Sequence, residues 1–270
     1  MDTVVIEANK GEAHYWHEVW RFRELFQVLA RRDITVRYKQ TLIGITWTLI
    51  QPLATILVFT VIFGRVAKMP SDGVPYPLLV FAGALPWQFF SAALSNSSQS
   101  LVLNSALISK VYFPRLIVPA STIFTALFDF LVSLALMGVA MAFLRYPPGW
   151  QIFTLPLFIF WAALCVLGPG LLITALNVRY RDFRYIVGFA IQFGVFVSPV
   201  GFTSSIVPER WRLLYSLNPM VGVIDGFRWS LLGIPLHWET LVASGIVTLI
   251  LLYAGIWFFR RTESTFADII

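Results

Sequence analysis

From Gly44 to Phe63 the chain carries no charged residue, and twenty mostly apolar residues rising about 1.5 Å each cross a hydrocarbon core of roughly 30 Å. This stretch predicts a transmembrane helix, so the bilayer is the solvent in which the fold is built. Immediately before it stands the run RRDITVRYK. Lysine and arginine are retained on the cytoplasmic side, so Arg31, Arg32, Arg37 and Lys39 predict an amino terminus inside.

Composition extends the same solvent to the rest of the chain. Hydrophobic residues make up 58% and charged residues 13%, against about 45–50% and about 25% in ordinary soluble domains. The net charge of +6 is scattered over span ends rather than gathered on one face, which excludes a nucleic-acid partner. A single cysteine, Cys165, allows no disulfide framework and no cysteine-rich metal site. The polar first forty residues and the long apolar run after them predict no cleavable signal peptide.

Residues 1–14 are polar and predicted to be loose. Tyr15, Trp16, Val19, Trp20, Phe22, Leu25, Phe26 and Leu29 then recur among charged residues as an amphipathic helix suited to the headgroup region. Further spans are expected over Leu78–Ser97, Leu116–Phe143, Phe153–Val178 (kinked at Gly168, Pro169 and Gly170), Ile186–Gly201 and Leu241–Phe259. The polar stretch SNSSQSLVLNSALIS is predicted to face protein or a cavity rather than lipid. Residues 202–240 are apolar in pieces of ten to twelve, broken by Pro219, Gly222, Asp225, Gly226, Arg228, Gly233 and Pro235. They predict two short re-entrant or interfacial helices, with Asp225 and Arg228 paired within the second. Six spans put 14 of the 20 lysines and arginines on one side, which predicts both termini in the cytoplasm. The expected organisation is a cytoplasmic segment over 1–40, a six-span body over 41–260 and a cytoplasmic tail over 261–270.

The chain has no phosphate-cradling G-x-x-x-x-G-K-[ST] loop, so ATP is not hydrolysed by a P-loop here. Asp129 is the one acid well inside a span, a candidate for lining a pathway or pairing across helices. His14 and His17 lack a third ligand nearby, no acid–base pair suits catalysis, and neither a metal nor a cofactor is expected in the chain. Aromatic residues near span ends read as an interfacial belt. Alternatively some of Trp47, Trp87, Phe89, Phe90, Trp161, Trp211 and Trp229 line a passage for sugar rings, with Ser95 to Ser100 as polar partners.

The runs RRDITVRYKQTLIGITWTLIQPL, LISKVYFPRLIVP, NVRYRDFRYI, SPVGFTSS and SLNPMVGVIDGFRWSLLG resemble, in this order and over nearly the whole chain, the ABC-2 type permeases that export polysaccharides. The likeness is strongest to O-antigen permeases of the Wzm type, with teichoic-acid and capsule permeases nearby. It implies an all-α integral membrane fold of the ABC-2 (type V exporter) architecture, with six transmembrane helices, an amino-terminal interface helix and two outer re-entrant helices. It implies a homodimer of permeases in a bacterial inner membrane, two Wzt-like ATPase subunits holding ATP and Mg, and undecaprenyl-linked polysaccharide as cargo. By position, Lys110, Val111, Tyr112, Phe113, Pro114 and Arg115, with Arg179, Tyr180, Arg181 and Asp182, match the inner segments that contact the ATPases. Asn218, Asp225, Arg228 and Trp229 fall in the gate-like outer region. The alternatives are an ABC-2 exporter of teichoic acid, capsule, a drug or a small lipid-linked molecule, a non-transporting membrane scaffold, and an integral-membrane transferase.

Overall fold

A computed structural model describes residues 12–39 and 42–269, with the side chains of 15–39, 50–266 and 269. The segment before residue 12 and the side chains of His14 and Trp47 lie outside the described residues. Within them the chain is helical, with no strand. Four helices are long and apolar enough to cross a membrane: α4 (Tyr76–Leu103), α6 (Ile117–Phe143), α7 (Leu155–Arg179, with the turn before it) and α11 (Trp238–Thr262, with the turn after it).

The amino-terminal amphipathic stretch divides at Phe22 into α1 (Glu12–Arg21) and α2 (Arg23–Lys39), so the basic run is itself helical. Next, α3 (Leu42–Phe59) passes directly into a π-helical turn, Thr60–Val66. The loop that follows turns at Lys68, Asp72 and Gly73, all with positive φ. A short α5 (Ser105–Ile108) precedes the Phe113-Pro114 step, where the helix breaks as a proline requires.

The centre of the molecule is α4, with α6, α7 and α10 packed around it. Its serine-rich end runs on as helix to Leu103, past the expected boundary at Ser97, because Ser97, Ser98 and Ser100 are buried. The Thr174 hydroxyl donates to the Ser97 carbonyl at 2.7 Å, and the Asn177 amide donates to the Ser98 carbonyl at 2.8 Å. Ser97 and Ser98 thus knit α4 to α7 and face protein, whereas Ser100 is buried beside a separate pocket that it shares with Asn96 and Arg37.

The Gly168-Pro169-Gly170 step lies inside a continuous α7. A Cβ on Gly168 would lie 2.6 Å from the Leu251 carbonyl, and one on Gly255 would collide with the Gly168 carbonyl. Backbone-to-backbone contact of this kind is how small residues join helices in lipid, where no hydrophobic effect drives association.

Two further boundaries differ from expectation. The fifth apolar stretch forms α8 over Phe183–Val197, fifteen residues that span about 22 Å, and Ser198–Gly201 turns back into the protein. Residues 202–240 form a seven-residue α9 (Glu209–Tyr215) and one fourteen-residue α10 (Pro219–Leu232) rather than two pieces separated at Asp225 and Gly226. The reason is local. The Asn218 side chain caps the first turn by accepting from the Met220 N–H, Pro219 opens the helix and Gly233 closes it at φ 72°. A final α12 (Phe266–Ile269) packs its Phe266 against Phe259.

Candidate functional site

Four-residue spacing puts Gln51, Thr55 and Phe59 on one stripe of α3, and Trp87, Ser91 and Ser95 on one stripe of α4. With Gln192 of α8 they line a groove of about 610 Å³ that contains no charged side chain. The Thr55 and Ser91 hydroxyls donate to the carbonyls of Gln51 and Trp87 in their own helices, which leaves their oxygens as acceptors toward the groove. A Cβ on Gly194 would meet the Trp87 ring at 2.5 Å, so glycine there lets the indole lie against α8. Gln88 also borders a second cavity, of about 340 Å³, and its amide nitrogen is buried without a hydrogen-bond partner. Among the aromatic and acidic residues of that second cavity are Phe89 and Asp129.

Asp129 accepts from the Arg37 guanidinium and the Tyr38 hydroxyl, which ties α2 to the middle of α6. The sequence offered Asp129 as either a pathway-lining or a cross-helix pairing residue, and here it both pairs with Arg37 and borders the second cavity. Phe89 packs on Phe130 in the core with centroids 5.6 Å apart, and Phe90 leans on Trp87 at 5.5 Å. Trp229 meets Trp150 edge-on, away from the groove. Of the aromatic candidates, the structure brings Trp87 to the polar groove.

Toward the amino-terminal end of α4 and sharing Val200 with the groove, Asn218, Asp225 and Arg228 are brought together, though not as an ion pair. Among the described residues no salt bridge joins Asp225 to Arg228. Asp225 accepts from Ser204 at 2.8 Å. Arg228, 1% exposed, donates to the carbonyls of Phe202 at 2.7 Å and Val200 at 3.1 Å. The guanidinium is spent on loop carbonyls because Ser198–Thr203 packs over α4 with no strand or helix to satisfy them. Asn218 donates to the Ser198 hydroxyl at 2.9 Å, closing the same loop. Burial pushes the Asp225 carboxyl up, opposed by the Arg228 guanidinium and the Ser204 hydroxyl.

The two basic segments Lys110–Arg115 and Arg179–Asp182 are placed differently from one another. Lys110, Val111 and Tyr112 are exposed, whereas Pro114 is buried and Phe113 turns inward to a cluster with Leu116, Val178 and Phe259. Arg179, Tyr180, Arg181 and Asp182 are all exposed. Arg115 bonds the Ile108 carbonyl and is held from behind by a residue that sequence reasoning missed. Glu263, past the end of α11, accepts from the Arg115 backbone N–H at 2.7 Å and from the Tyr15 hydroxyl at 3.2 Å. The Arg260 guanidinium lies 3.4 Å over the Tyr15 ring. Burial, then the Glu263 carboxylate, pushes the Tyr15 phenol up.

Glu263→Ala is expected to lower the unfolding free energy by about 2 kcal/mol, the cost of an unpaired buried donor, and Glu263→Gln, which keeps an acceptor, by about half that or less. Thermal melts of the detergent-solubilised chain check this, and equal losses in the two variants would remove the Arg115 bond as the cause.

Residues 24–232 match the family described as ABC-2 type transporter. The O-antigen export system permease protein RfbA of Myxococcus xanthus is 30% identical over 93% of this chain and 97% of its own length. The protein of the same name from Klebsiella pneumoniae is 25% identical over 92% and 95%. The polysialic acid transport protein KpsM of Escherichia coli is 23% identical over 88% and 93%.

Proposed function

The chain belongs to the ABC-2 type transporter family, and from that premise we propose that it carries a lipid-linked polysaccharide of the O-antigen kind outward across the inner membrane. It is the multi-pass membrane subunit of an ABC exporter of polysaccharide and not an enzyme, so a separate ATPase supplies the energy. That partner is Wzt-like, present in two copies, and holds the ATP and Mg. In the topology adopted, α3 and α8 complete six spans, both termini are cytoplasmic, α1 and α2 lie at the inner interface, and α9 and α10 form the outer re-entrant pair.

The observation that carries the cargo assignment is the groove between α3, α4 and α8. Glutamine amides and serine and threonine oxygens, beside one indole face, suit sugar hydroxyls and ring C–H faces. An uncharged lining favours a neutral glycan over the acidic polymer named for the KpsM relatives, which is the second reading. The groove is flanked by exposed apolar faces, Ile50, Leu53 and Leu57 on α3 and Ile186, Phe189 and Phe193 on α8. A second copy against these faces would close the groove into a passage, which supports a homodimer.

Closure of the ATPase pair on ATP would press on Lys110–Tyr112 and Arg179–Asp182. The first segment is backed by Glu263 and the buried Phe113, so a push there is transmitted to α6 and α11 rather than absorbed by a loose loop.

In a strain lacking the chain, undecaprenyl-linked polysaccharide should accumulate inside, and the intact chain should restore surface glycan. Lys110→Glu with Arg181→Glu, present in the membrane at normal level, should fail to restore it. Gln88→Leu should lower export by about five- to tenfold, the scale of one lost hydrogen bond to cargo. Normal surface glycan without the chain would overturn the reading.

A further inference from the structure

Away from the groove, α6 and α7 part at their outer ends over a cleft of about 690 Å³. Leu134, Gly138 and Met141 of α6 and Leu155 of α7 form its walls, Leu231 of α10 contributes from below, and Arg145 is its one charged lining residue. We propose that this cleft binds one acyl chain of an anionic phospholipid, with Arg145 on the phosphate.

Three observations carry this. First, the lining is almost wholly apolar, and a Cβ on Gly138 would meet nothing within 4 Å, so this face of α6 is open over the cleft. An apolar concavity facing a bilayer takes hydrocarbon, because its walls otherwise forgo their dispersion contacts. Second, Arg145 ends α6 in a left-handed conformation at φ 51°, with the Tyr146 N–H bonded to the Met141 carbonyl at 2.9 Å. This is the capping turn in which glycine is the unstrained residue, yet the chain places a guanidinium there. The rim is fixed as well, since the Tyr146 hydroxyl donates to the Leu232 carbonyl at 2.9 Å and Pro147-Pro148 follow. Third, the exposed aromatics Phe143, Trp150 and Phe153 stand at the same end of the helices, which sets Arg145 at headgroup depth. A guanidinium fork fits a phosphate bidentately, and no acidic residue lines the cleft to compete for it.

The test is native mass spectrometry on the full-length chain in complex with its ATPase. The complex is titrated in mild detergent with phosphatidylglycerol and with phosphatidylcholine of the same acyl chains. Wild type is expected to prefer phosphatidylglycerol by about tenfold, as charge-assisted pairing to phosphate implies. Arg145→Gly relieves the backbone, so it should raise the melting temperature while abolishing the preference. Gly138→Trp fills the cleft and should reduce binding of both lipids. A preference that survives Arg145→Gly, binding unchanged by Gly138→Trp, or an absence of preference in wild type would each overturn the proposal. So would a second protein copy released by Gly138→Trp. None of these readouts involves export, so their failure leaves the transport reading standing, and a failure of export leaves the lipid result standing.

Discussion

Replacing Arg228 by methionine is expected to destabilise the folded chain by about 3–5 kcal/mol, the range found when one member of a buried charged set is removed. The substitution keeps most of the volume, so packing is not what is lost. The carbonyls of Phe202 and Val200 lose their donor, and Asp225, which has a buried oxygen without a hydrogen bond, loses the nearby cation. Arg228→Lys should recover part of the loss, because one ammonium supplies charge but cannot fork to both carbonyls. Gly83→Ala should mimic it in weaker form, since a Cβ there would come within 2.8 Å of the guanidinium and 2.9 Å of the Val200 carbonyl. The measurement is the temperature at which detergent-solubilised protein leaves the monodisperse peak. If the methionine and lysine variants melt together near wild type, the guanidinium is not the fastening of the Ser198–Thr203 loop.

Gly255→Val is expected to abolish the folded state outright. Overpacking a core usually costs about 1–3 kcal/mol because side chains can shift. Here the obstacle is the backbone of α7 at Gly168, and the reciprocal position, Gly168, faces the backbone at Leu251 and Leu252. Neither helix can give way without losing the crossing, and α7 in turn is fastened to α4 through Thr174 and Asn177. Gly245 lies on the same helix but would meet only the Trp161 ring at 3.6 Å, an ordinary contact, so Gly245→Ala should fold normally. Membrane yield and monodispersity of the two variants, expressed side by side, separate backbone collision from a general intolerance of α11 to substitution.

Much of this architecture is legible in the sequence because lipid imposes coarse rules. Long apolar runs, broken only by Asp129 in α6, mark α4, α6, α7 and α11, and the polarity of Ser97 to Ser100 marks a face that cannot meet hydrocarbon. The cap signals of α10, Asn218 with Pro219 and then Gly233, were also readable, but the charges at Asp225 and Arg228 looked like an interruption. They are tolerated mid-helix because an irregular loop presents carbonyls to one and a serine to the other, and that loop's path is set by tertiary packing. The groove was half legible. Trp87 and Ser95 stood out, whereas Gln51, Gln88 and Gln192 come from three helices whose adjacency no local pattern encodes. Glu263 carried no signal at all, since its partner Arg115 is 148 residues away and bonds through its backbone N–H.

That separation has a consequence for how the protein is made. The chain enters the membrane from its amino terminus, so α6 and the Lys110–Arg115 segment are in place long before Glu263 is synthesised. Until α11 is complete and Glu263 has reached Arg115, the Lys110–Arg115 segment lacks its brace, and Tyr15 lacks the carboxylate it donates to. The Arg115 backbone N–H and the Tyr15 hydroxyl therefore gain their shared acceptor only in the finished chain, so this corner of the fold is completed last.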